Sequence, residues 1–344
     1  MSGVSNYVLK RVGFGLISLF GLSVLVFVLA RVLPGTPIDL ARLALGPNAS
    51  QSAINTLITE LHLREPLPVQ YWFWISGIFT GNWGISLTTH RNVLTDVEEF
   101  LPATLDLLIT AAVMDLIISI PLGLVAGRRE NTYVDNIVRV LSYVGIAVPS
   151  FVVAILLQLS FGYGLHLFPV IGELSPGISP PPRITGLYLI DGLITGDFTA
   201  WINALWHLIL PAFSLALGPI AQEARILRSS VVENQNKDFT LAETSRGFPE
   251  RVITARYLLK PSIIPMITVY ALDVSSMIAN AFLIELIFNW PGLSRYGLNA
   301  MLSKDLNAII AVVMVAGILF VIANTLVDLT VSRLDPRISA ETGD

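Results

Sequence analysis

The chain has 344 residues, of which 53% are hydrophobic and only 13% are charged, and its formal net charge is −4. A mean hydropathy of +0.70 and a charged fraction about half that of soluble domains predict a polytopic membrane protein. The small net charge does not favour a nucleic-acid partner. Because the sequence has no cysteine, disulfides, thiolate catalysis and cysteine-ligated metal centres are excluded.

Six apolar stretches are long enough to cross a bilayer, which requires about 20 residues. They lie at about 12–30, 104–126, 137–160, 205–224, 264–286 and 307–331. We expect the first to be an uncleaved span, because its apolar run is longer than that of a signal peptide. Pro211 and Pro219 are expected to kink the fourth. The sequence therefore predicts an all-α polytopic membrane protein with six transmembrane helices.

Lysine and arginine residues set the expected orientation. If the N-terminus is cytoplasmic, 14 of the 21 basic residues fall in cytoplasmic segments and 7 in external ones. This bias predicts a multi-pass protein of the cell membrane with both termini in the cytoplasm.

The predicted topology divides the chain into residues 1–31 with the first helix, an extracellular insert at 32–103, and a five-helix core at 104–344. The insert is rich in aromatic residues, which favours a small folded cap over a disordered loop. We expect Trp72, Trp74 and Trp83 to lie near the lipid interface. A second outer loop, at 161–204, is rich in proline and glycine and is expected to pack on the first.

The longest cytoplasmic loop, about residues 225–263, contains a charged and helix-prone segment. Asp238 is a plausible N-cap for one helix, and Gly247 stands where a left-handed residue ends it. Pro249 suits the first turn of a second helix. The loop is therefore predicted to form two short helices that meet at a glycine and present a rigid surface to a cytoplasmic partner.

An amphipathic helix on the lipid headgroups is the alternative interpretation of this loop. Acidic residues interleave with the basic ones, at Glu233, Asp238, Glu243 and Glu250. Since an anionic membrane repels these carboxylates, a protein partner is favoured.

The run DFTLAETSRGFPERVITARYLLKPSIIP resembles the cytoplasmic coupling loop, or EAA loop, of permease subunits in binding-protein-dependent ABC importers. Six further stretches resemble the B-type membrane subunit of the dipeptide/oligopeptide/nickel family: YVLKRV, LARVLPGTP, PLGLVAGRREN, GIAVPSF, ELIFNWPGLSRYG and NTLVDLTVSRLDPRI. The resemblance covers nearly the whole chain. It departs from the pattern at Leu241, Ala242 and Glu243, which replace Glu-Ala-Ala, and at Tyr257, where a histidine is expected.

The resemblance implies a type I ABC importer fold and a division of labour between subunits. The chain would pair with a second homologous permease, two cytoplasmic ATPases and an extracellular solute-binding protein. It would import dipeptides, oligopeptides or solutes of similar size, such as oligosaccharides or nickel chelates. The residues implied to couple to the ATPases are Asp238, Ala242, Glu243, Gly247, Phe248, Pro249, Glu250 and Arg251.

Nucleotide chemistry is expected on the partner subunits. The sequence contains no GxxxxGK[ST] phosphate-binding loop. We therefore expect ATP and magnesium to be bound by the ATPases, and this chain to be no enzyme and to bind no cofactor. No metal site is expected either, because all four histidines fall in outer segments or at the mouth of a span.

Polar residues at membrane depth are candidates for the translocation pathway. Asp115 lies near the middle of the second predicted span and Asp273 near the middle of the fifth. A carboxylate in hydrocarbon is costly, so each is expected to face water, a partner subunit or the other aspartate. Ser276, Met277 and Asn280 follow Asp273 at helical spacing and are expected to line a pore with it. The alternative is that these groups form hydrogen bonds with the second permease.

Trp290, Pro291 and Gly292 are predicted to form a turn at the outer mouth of the fifth span, with the tryptophan anchored at headgroup depth. Docking of the binding protein or gating is the alternative. Glu285 lies near this span end, where interfacial pairing is expected.

A different class of function stays open from the sequence alone. A secondary transporter or channel could use Asp115 and Asp273 as ion sites and an ion gradient as its energy source. Such a protein has no need of a coupling loop, so the loop favours the importer.

Overall fold

The structure is a computed structural model that describes residues 2–32, 36–46, 48–60 and 62–334. Pro34 and Gly35 of the LARVLPGTP motif and the C-terminal residues after Leu334, including the DPRI motif and the predicted cytoplasmic terminus, lie outside the described residues. The described residues form helices α1 (Ser2–Val32), α2 (Pro37–Leu45), α3 (Gln51–Glu60), α4 (Leu67–Phe79), α5 (Val93–Arg128), α6 (Tyr133–Ala147), α7 (Ser150–Leu157), α8 (Tyr188–Thr195), α9 (Phe198–Gln235), α10 (Asp238–Ser245), α11 (Glu250–Val252), α12 (Leu259–Ile287), α13 (Leu293–Leu302) and α14 (Leu306–Leu334). Two π-helical stretches, Gln158–Gly164 and Ile253–Leu258, extend α7 and join α11 to α12.

Five helices in the described part of the chain are long and apolar enough to cross a membrane. They are Lys10–Arg31, Val93–Arg128, Phe198–Gln235, Glu250–Ile287 and Leu306–Val327. These agree with five of the six predicted spans. The predicted span at 137–160 differs, because it consists of two helices, Tyr133–Ala147 and Ser150–Gly164, that bend by 106°.

The bend between α6 and α7 has a local cause. Val148 adopts an extended backbone, with φ −91° and ψ 123°, directly before Pro149. A residue before proline is pushed out of the helical region by the proline ring. A single straight helix across this stretch is therefore excluded, although both halves are apolar.

Helix α9 is the centre of the bundle, and α5, α6, α7 and α12 pack around it. Leu208 and Leu215 of α9 are buried together with Leu107 of α5 and Ile284 of α12. Helix α1 lies at the periphery, where it packs against α14. Pro211 and Pro219 both lie inside α9, which the structure assigns as one helix.

The first outer insert is folded. Helices α2 and α3 share a small apolar core formed by Ala41, Ile54, Ile58 and Leu63. Helix α4 packs along α1, where the Tyr71 hydroxyl and Ser23 Oγ lie 2.7 Å apart and the rings of Phe27 and Trp74 lie 5.5 Å apart. Trp72 is 68% exposed on the opposite side of α4. The aromatic helix therefore lies beside a membrane span.

The loop at 161–204 packs on the start of α5, whereas the sequence predicts that it packs on the insert at 32–103; of the two α5 residues contacted, Glu98 falls within that range and Asp106 does not. Arg183 donates from Nη2 to the carbonyl of Glu98 over 2.8 Å, and the Tyr188 backbone N–H donates to Asp106 Oδ2 over 2.7 Å. Burial, and then the nearby acids, raise the pKa of Glu173 in this loop to about 8. The loop thus covers an acidic region at the end of the bundle where α5 begins.

Candidate functional site

The predicted coupling loop forms two helical pieces joined by a left-handed glycine. Helix α10 ends at Ser245, and Gly247 has φ +79°, a conformation that glycine adopts without steric cost. The prediction of Asp238 as N-cap is wrong by one residue, since Lys237 occupies that position and makes no side-chain cap hydrogen bond. Asp238 still lies in the first turn, where a carboxylate complements the helix dipole. Pro249 directly precedes α11 as its N-cap.

The second helix of the loop is not a separate short helix. It starts at Glu250, passes through the π-helical stretch Ile253–Leu258, and continues into α12, so that Glu250–Ile287 is one long helix. Glu250 is therefore joined to the membrane-spanning part of α12 by continuous helical backbone.

Two contacts hold the coupling segment, defined here as residues 236–258, against the bundle, and a third joins α9 to α12 beside it. Thr240 donates from Oγ1 to the carbonyl of Asn234 over 2.8 Å, and Asn234 in turn donates from Nδ2 to Ser262 Oγ over 3.0 Å. Arg128, the last residue of α5, forms an ion pair with Glu250. The segment therefore touches the ends of α5, α9 and α12 at once.

The coupling segment has an exposed surface of mixed character. Among the eight residues predicted to contact an ATPase, seven are exposed and Glu243 is half-buried. Phe248 is 42% exposed, and the neighbouring Phe239 and Leu241 are 42% and 51% exposed. Glu243 forms an ion pair with Arg246 over 2.8 Å. Exposed apolar side chains outside the membrane, with charges around them, are typical of a surface that binds another protein.

The predicted polar stripe on α12 is present, with one exception. Ser276 and Asn280 are exposed and Asp273 is half-buried, whereas Met277 is only 1% exposed and belongs to the core. Met277 therefore does not line a pore together with the other three. Met277 lies about 100° around the helix from Ser276, on the side that packs against the buried core.

Asp115 does not share the exposed surface of the stripe. Its side chain is 0% exposed and lies in the bundle beside Glu223 of α9, which is also 0% exposed. Asp273 is a further neighbour of both, and its Oδ2 accepts a hydrogen bond of 3.0 Å from Gln222 Nε2. The structure thus brings Asp115 and Asp273 into one acidic cluster, as one of the sequence alternatives anticipates.

Sequence reasoning missed Glu223. The residue lies in the run GPIAQEARIL, at the end of the fourth predicted span, where it resembles the start of a charged loop. Helix α9 continues to Gln235, so Glu223 is well inside the helix. The signal that could have identified it is the length of the helical pattern beyond the apolar run.

Trp290, Pro291 and Gly292 connect α12 to α13, but the tryptophan is not a lipid anchor. Trp290 is 1% exposed, and its Nε1 donates to the carbonyl of Ala103 over 2.8 Å. The expectation of a tryptophan at headgroup depth is therefore wrong: the indole packs inside the protein, where its N–H finds a partner on α5.

The Glu285 side chain forms hydrogen bonds that stabilise the same connection between α12 and α13. Its Oε2 accepts from the Ser294 backbone N–H over 2.8 Å, and its Oε1 accepts from Thr104 Oγ1 over 2.7 Å. The expectation of interfacial pairing for Glu285 is wrong as well, since this side chain is 0% exposed. The carboxylate joins α5, α12 and the N-terminus of α13 into one rigid corner.

Comparison with known proteins gives the family. Residues 119–340 match the model of the binding-protein-dependent transport system inner membrane component, and residues 4–108 match the N-terminal model of the same membrane components. These two matches cover the bundle, the outer insert and the coupling segment.

Curated relatives are similar over nearly their whole length. The chain is 34% identical to the probable D,D-dipeptide transport system permease protein DdpB of Escherichia coli over 94% of each chain. It is 33% identical to the dipeptide transport system permease protein DppB of Alkalihalophilus pseudofirmus, over 96% of this chain and 98% of the relative. It is 28% identical to the oligopeptide transport system permease protein AppB of Bacillus subtilis, over 97% and 99%. This multi-pass membrane protein therefore belongs to the family of binding-protein-dependent transport system inner membrane components.

Proposed function

We propose that this chain is one of two homologous permease subunits of an ATP-driven importer for peptides. The observation that carries the proposal is the similarity over nearly the full chain to relatives named for the transport of dipeptides and oligopeptides. The complete importer would contain a second permease, two cytoplasmic ATPases and an extracellular solute-binding protein. Each permease would form half of the translocation pathway in the cell membrane.

The coupling segment supports the proposed contact with an ATPase. Its exposed Phe239, Leu241 and Phe248 are surrounded by charged side chains, and it adjoins the ends of three spans. A push on this surface reaches α12 directly, because Glu250–Ile287 is one helix. ATP and magnesium would be bound by the ATPases, in accord with the absence of a phosphate-binding loop from this sequence.

The exposed stripe on α12 supports a role in the translocation pathway. Asp273, Ser276 and Asn280 place polar groups on a span at membrane depth. Ser276 and Asn280 donate to carbonyl groups of their own helix, at Asp273 and Ser276, which leaves their oxygen atoms available as acceptors. An importer of peptides needs such groups, because a peptide carries backbone donors that must be satisfied during passage.

An ion-driven transporter that works alone is not favoured by the comparisons. The matched family is defined by dependence on a binding protein. Asp115, one of the two ion sites of that alternative, is 0% exposed and has no access to a pathway on the surface of α12.

Isolation of the chain from its native membrane in mild detergent tests the proposed function. We expect mass spectrometry to identify a second permease and ATPases with nucleotide-binding motifs in the same complex. The reconstituted complex is expected to take up a labelled peptide only with ATP and the binding protein. Uptake by this chain alone, without ATP, would contradict the proposal.

Substitutions at Gly247 test the coupling segment separately. Proline cannot adopt φ +79°, so Gly247→Pro is expected to reposition α10 and to abolish ATP-dependent uptake and ATPase recovery. Gly247→Asn is the matched control, since asparagine tolerates the left-handed conformation and is expected to retain both. Equal uptake by the proline variant and the parent would show that the segment does not couple.

A further inference from the structure

The strongest unassigned feature is a pair of carboxyl groups inside the bundle. Asp115 on α5 and Glu223 on α9 are both 0% exposed, and their carboxyl groups lie within hydrogen-bonding reach of each other. Three of their four oxygens, Asp115 Oδ1 and Oδ2 and Glu223 Oε1, have no donor among the described residues. The fourth, Glu223 Oε2, accepts only a long hydrogen bond of 3.4 Å from Ser119 Oγ.

Among the residues that the structure describes, none supplies a positive charge next to the pair. From α12, the titratable neighbours are Asp273 and Tyr270. The Tyr270 hydroxyl is committed to the carbonyl of Ala112, to which it donates over 3.2 Å. None of the ion pairs found among the described residues includes Asp115 or Glu223.

Other helices packed against α5 and α9 do not supply a counter-charge either. The sequence of α7 and the stretch Leu306–Val327 of α14 contain no titratable residue. On α6, Asp135 pairs with Arg228 through both of its oxygens, and Arg139 is directed to the same carboxylate. The described residues also contain no group of three acidic, histidine or cysteine side chains that could hold a metal ion.

Two ionised carboxylates in this position are not stable. Each would lose its hydration without gaining a donor, and each would repel the other at short range. Loss of one charge by protonation removes the repulsion and at the same time creates the missing hydrogen-bond donor. Pairs of carboxyl groups that share one proton are a known solution to this arrangement.

We propose that Asp115 and Glu223 bind one proton between them and form an acid–carboxylate pair that joins α5 to α9. The proton lies on one carboxyl oxygen and is donated to an oxygen of the other group, so the pair carries a single negative charge. The inference does not depend on which solute is transported.

The pair joins the two helices that flank the coupling segment, so its proton affects how these helices pack. Helix α5 ends at Arg128, which contacts Glu250, and α9 leads directly into α10. The two helices joined by the proton are therefore the two that hold the coupling segment from either side. Loss of the proton would introduce repulsion between them, so separation of α5 from α9 and release of the proton are linked.

Infrared spectroscopy of the purified complex at neutral pH tests the proposal. The background for the test is Glu173→Gln, which removes another carboxyl group whose pKa is raised to about 8, mainly by burial. In this background the chain is expected to show the C=O stretch of a protonated carboxyl group, shifted in deuterium oxide. Glu223→Gln is expected to lose this band, because its amide N–H supplies the donor and leaves Asp115 ionised. Asp115→Asn is expected to lose the same band, since it supplies a donor to Glu223.

The matched control is Asp191→Asn in the second outer loop. Asp191 accepts four hydrogen bonds, from Ile184, Thr185 and Gly186, so it needs no proton and its substitution is expected to leave the band in place. An unchanged band in both Glu223→Gln and Asp115→Asn would overturn the proposal. Failure of both amide variants to assemble would overturn it too, because a neutral isostere should replace a protonated carboxyl group.

Discussion

Gly292 lies directly against the Glu285 carboxylate, and a residue with a side chain would not fit there. A Cβ at this position would lie 2.4 Å from Glu285 Oε2, which is closer than atoms can approach. The backbone is ordinary, with φ −93°, so the requirement for glycine comes from space and not from conformation. The Glu285 carboxylate needs this space to accept from the Ser294 backbone N–H.

We therefore expect Gly292→Ala to destabilise the protein. The added methyl group displaces the Glu285 carboxylate from its donors, and overpacking together with a buried unsatisfied acceptor costs about 2 kcal/mol. A lower melting temperature in detergent would report this loss. Gly21→Ala is the control, since no atom lies within 4 Å of the added Cβ. Equal melting temperatures of the two variants would show that the close contact at Gly292 does not affect the stability of the protein.

At the scale of elements, α4 is the least expected helix. The Tyr71 side chain reaches Ser23, which is 8 residues before the end of the apolar segment Lys10–Arg31. At a rise of 1.5 Å per residue, this contact lies about 12 Å inside the span. The opposite side of α4 exposes Trp72 and Phe73. We therefore expect these side chains to lie where the bilayer surrounds α1.

Lipids with bromine atoms on their acyl chains test this position of α4. In a variant that keeps only Trp72, we expect strong quenching of tryptophan fluorescence, because the ring is 68% exposed beside a membrane span. A variant that keeps only Trp290, which is 1% exposed, is the control and is expected to resist quenching. If the fluorescence of Trp72 resists quenching as well as that of Trp290 does, α4 lies outside the hydrocarbon of the bilayer.

The helices differ in how far the sequence predicts them. Apolar runs of sufficient length gave five spans close to those observed, because the bilayer requires a fixed length of apolar helix. From its helical spacing alone, Met277 is predicted to lie on a polar surface. This spacing gives the angle of a residue around α12, but not which neighbouring helix covers that side. Glu223 was missed and Glu285 was assigned to the interface for the same reason: the burial of both depends on α5, which is distant from them in sequence.

On the scale of the whole molecule, the number of membrane crossings depends on whether the bent pair α6 and α7 spans the bilayer. Asp135, at the start of α6, pairs with Arg228 on the half of α9 that leads to the coupling segment. Gly172, beyond α7, donates its N–H to the carbonyl of Phe288 at the opposite end of α12. The chain between these contacts therefore runs from one end of the bundle to the other. Despite the bend of 106°, we therefore expect α6 and α7 together to form a sixth crossing.

Single cysteines test this topology without background, because the natural sequence has none. With six crossings, Tyr133→Cys and Ser245→Cys lie on the side of the coupling segment, and Ser179→Cys and Ser303→Cys lie on the other. The excess of basic residues predicts that the coupling segment lies in the cytoplasm. We expect a membrane-impermeant maleimide to label positions 179 and 303 in intact cells, and positions 133 and 245 only after permeabilisation. Labelling of positions 133 and 179 from the same side would mean that the bent pair turns back, and the chain would then cross only five times.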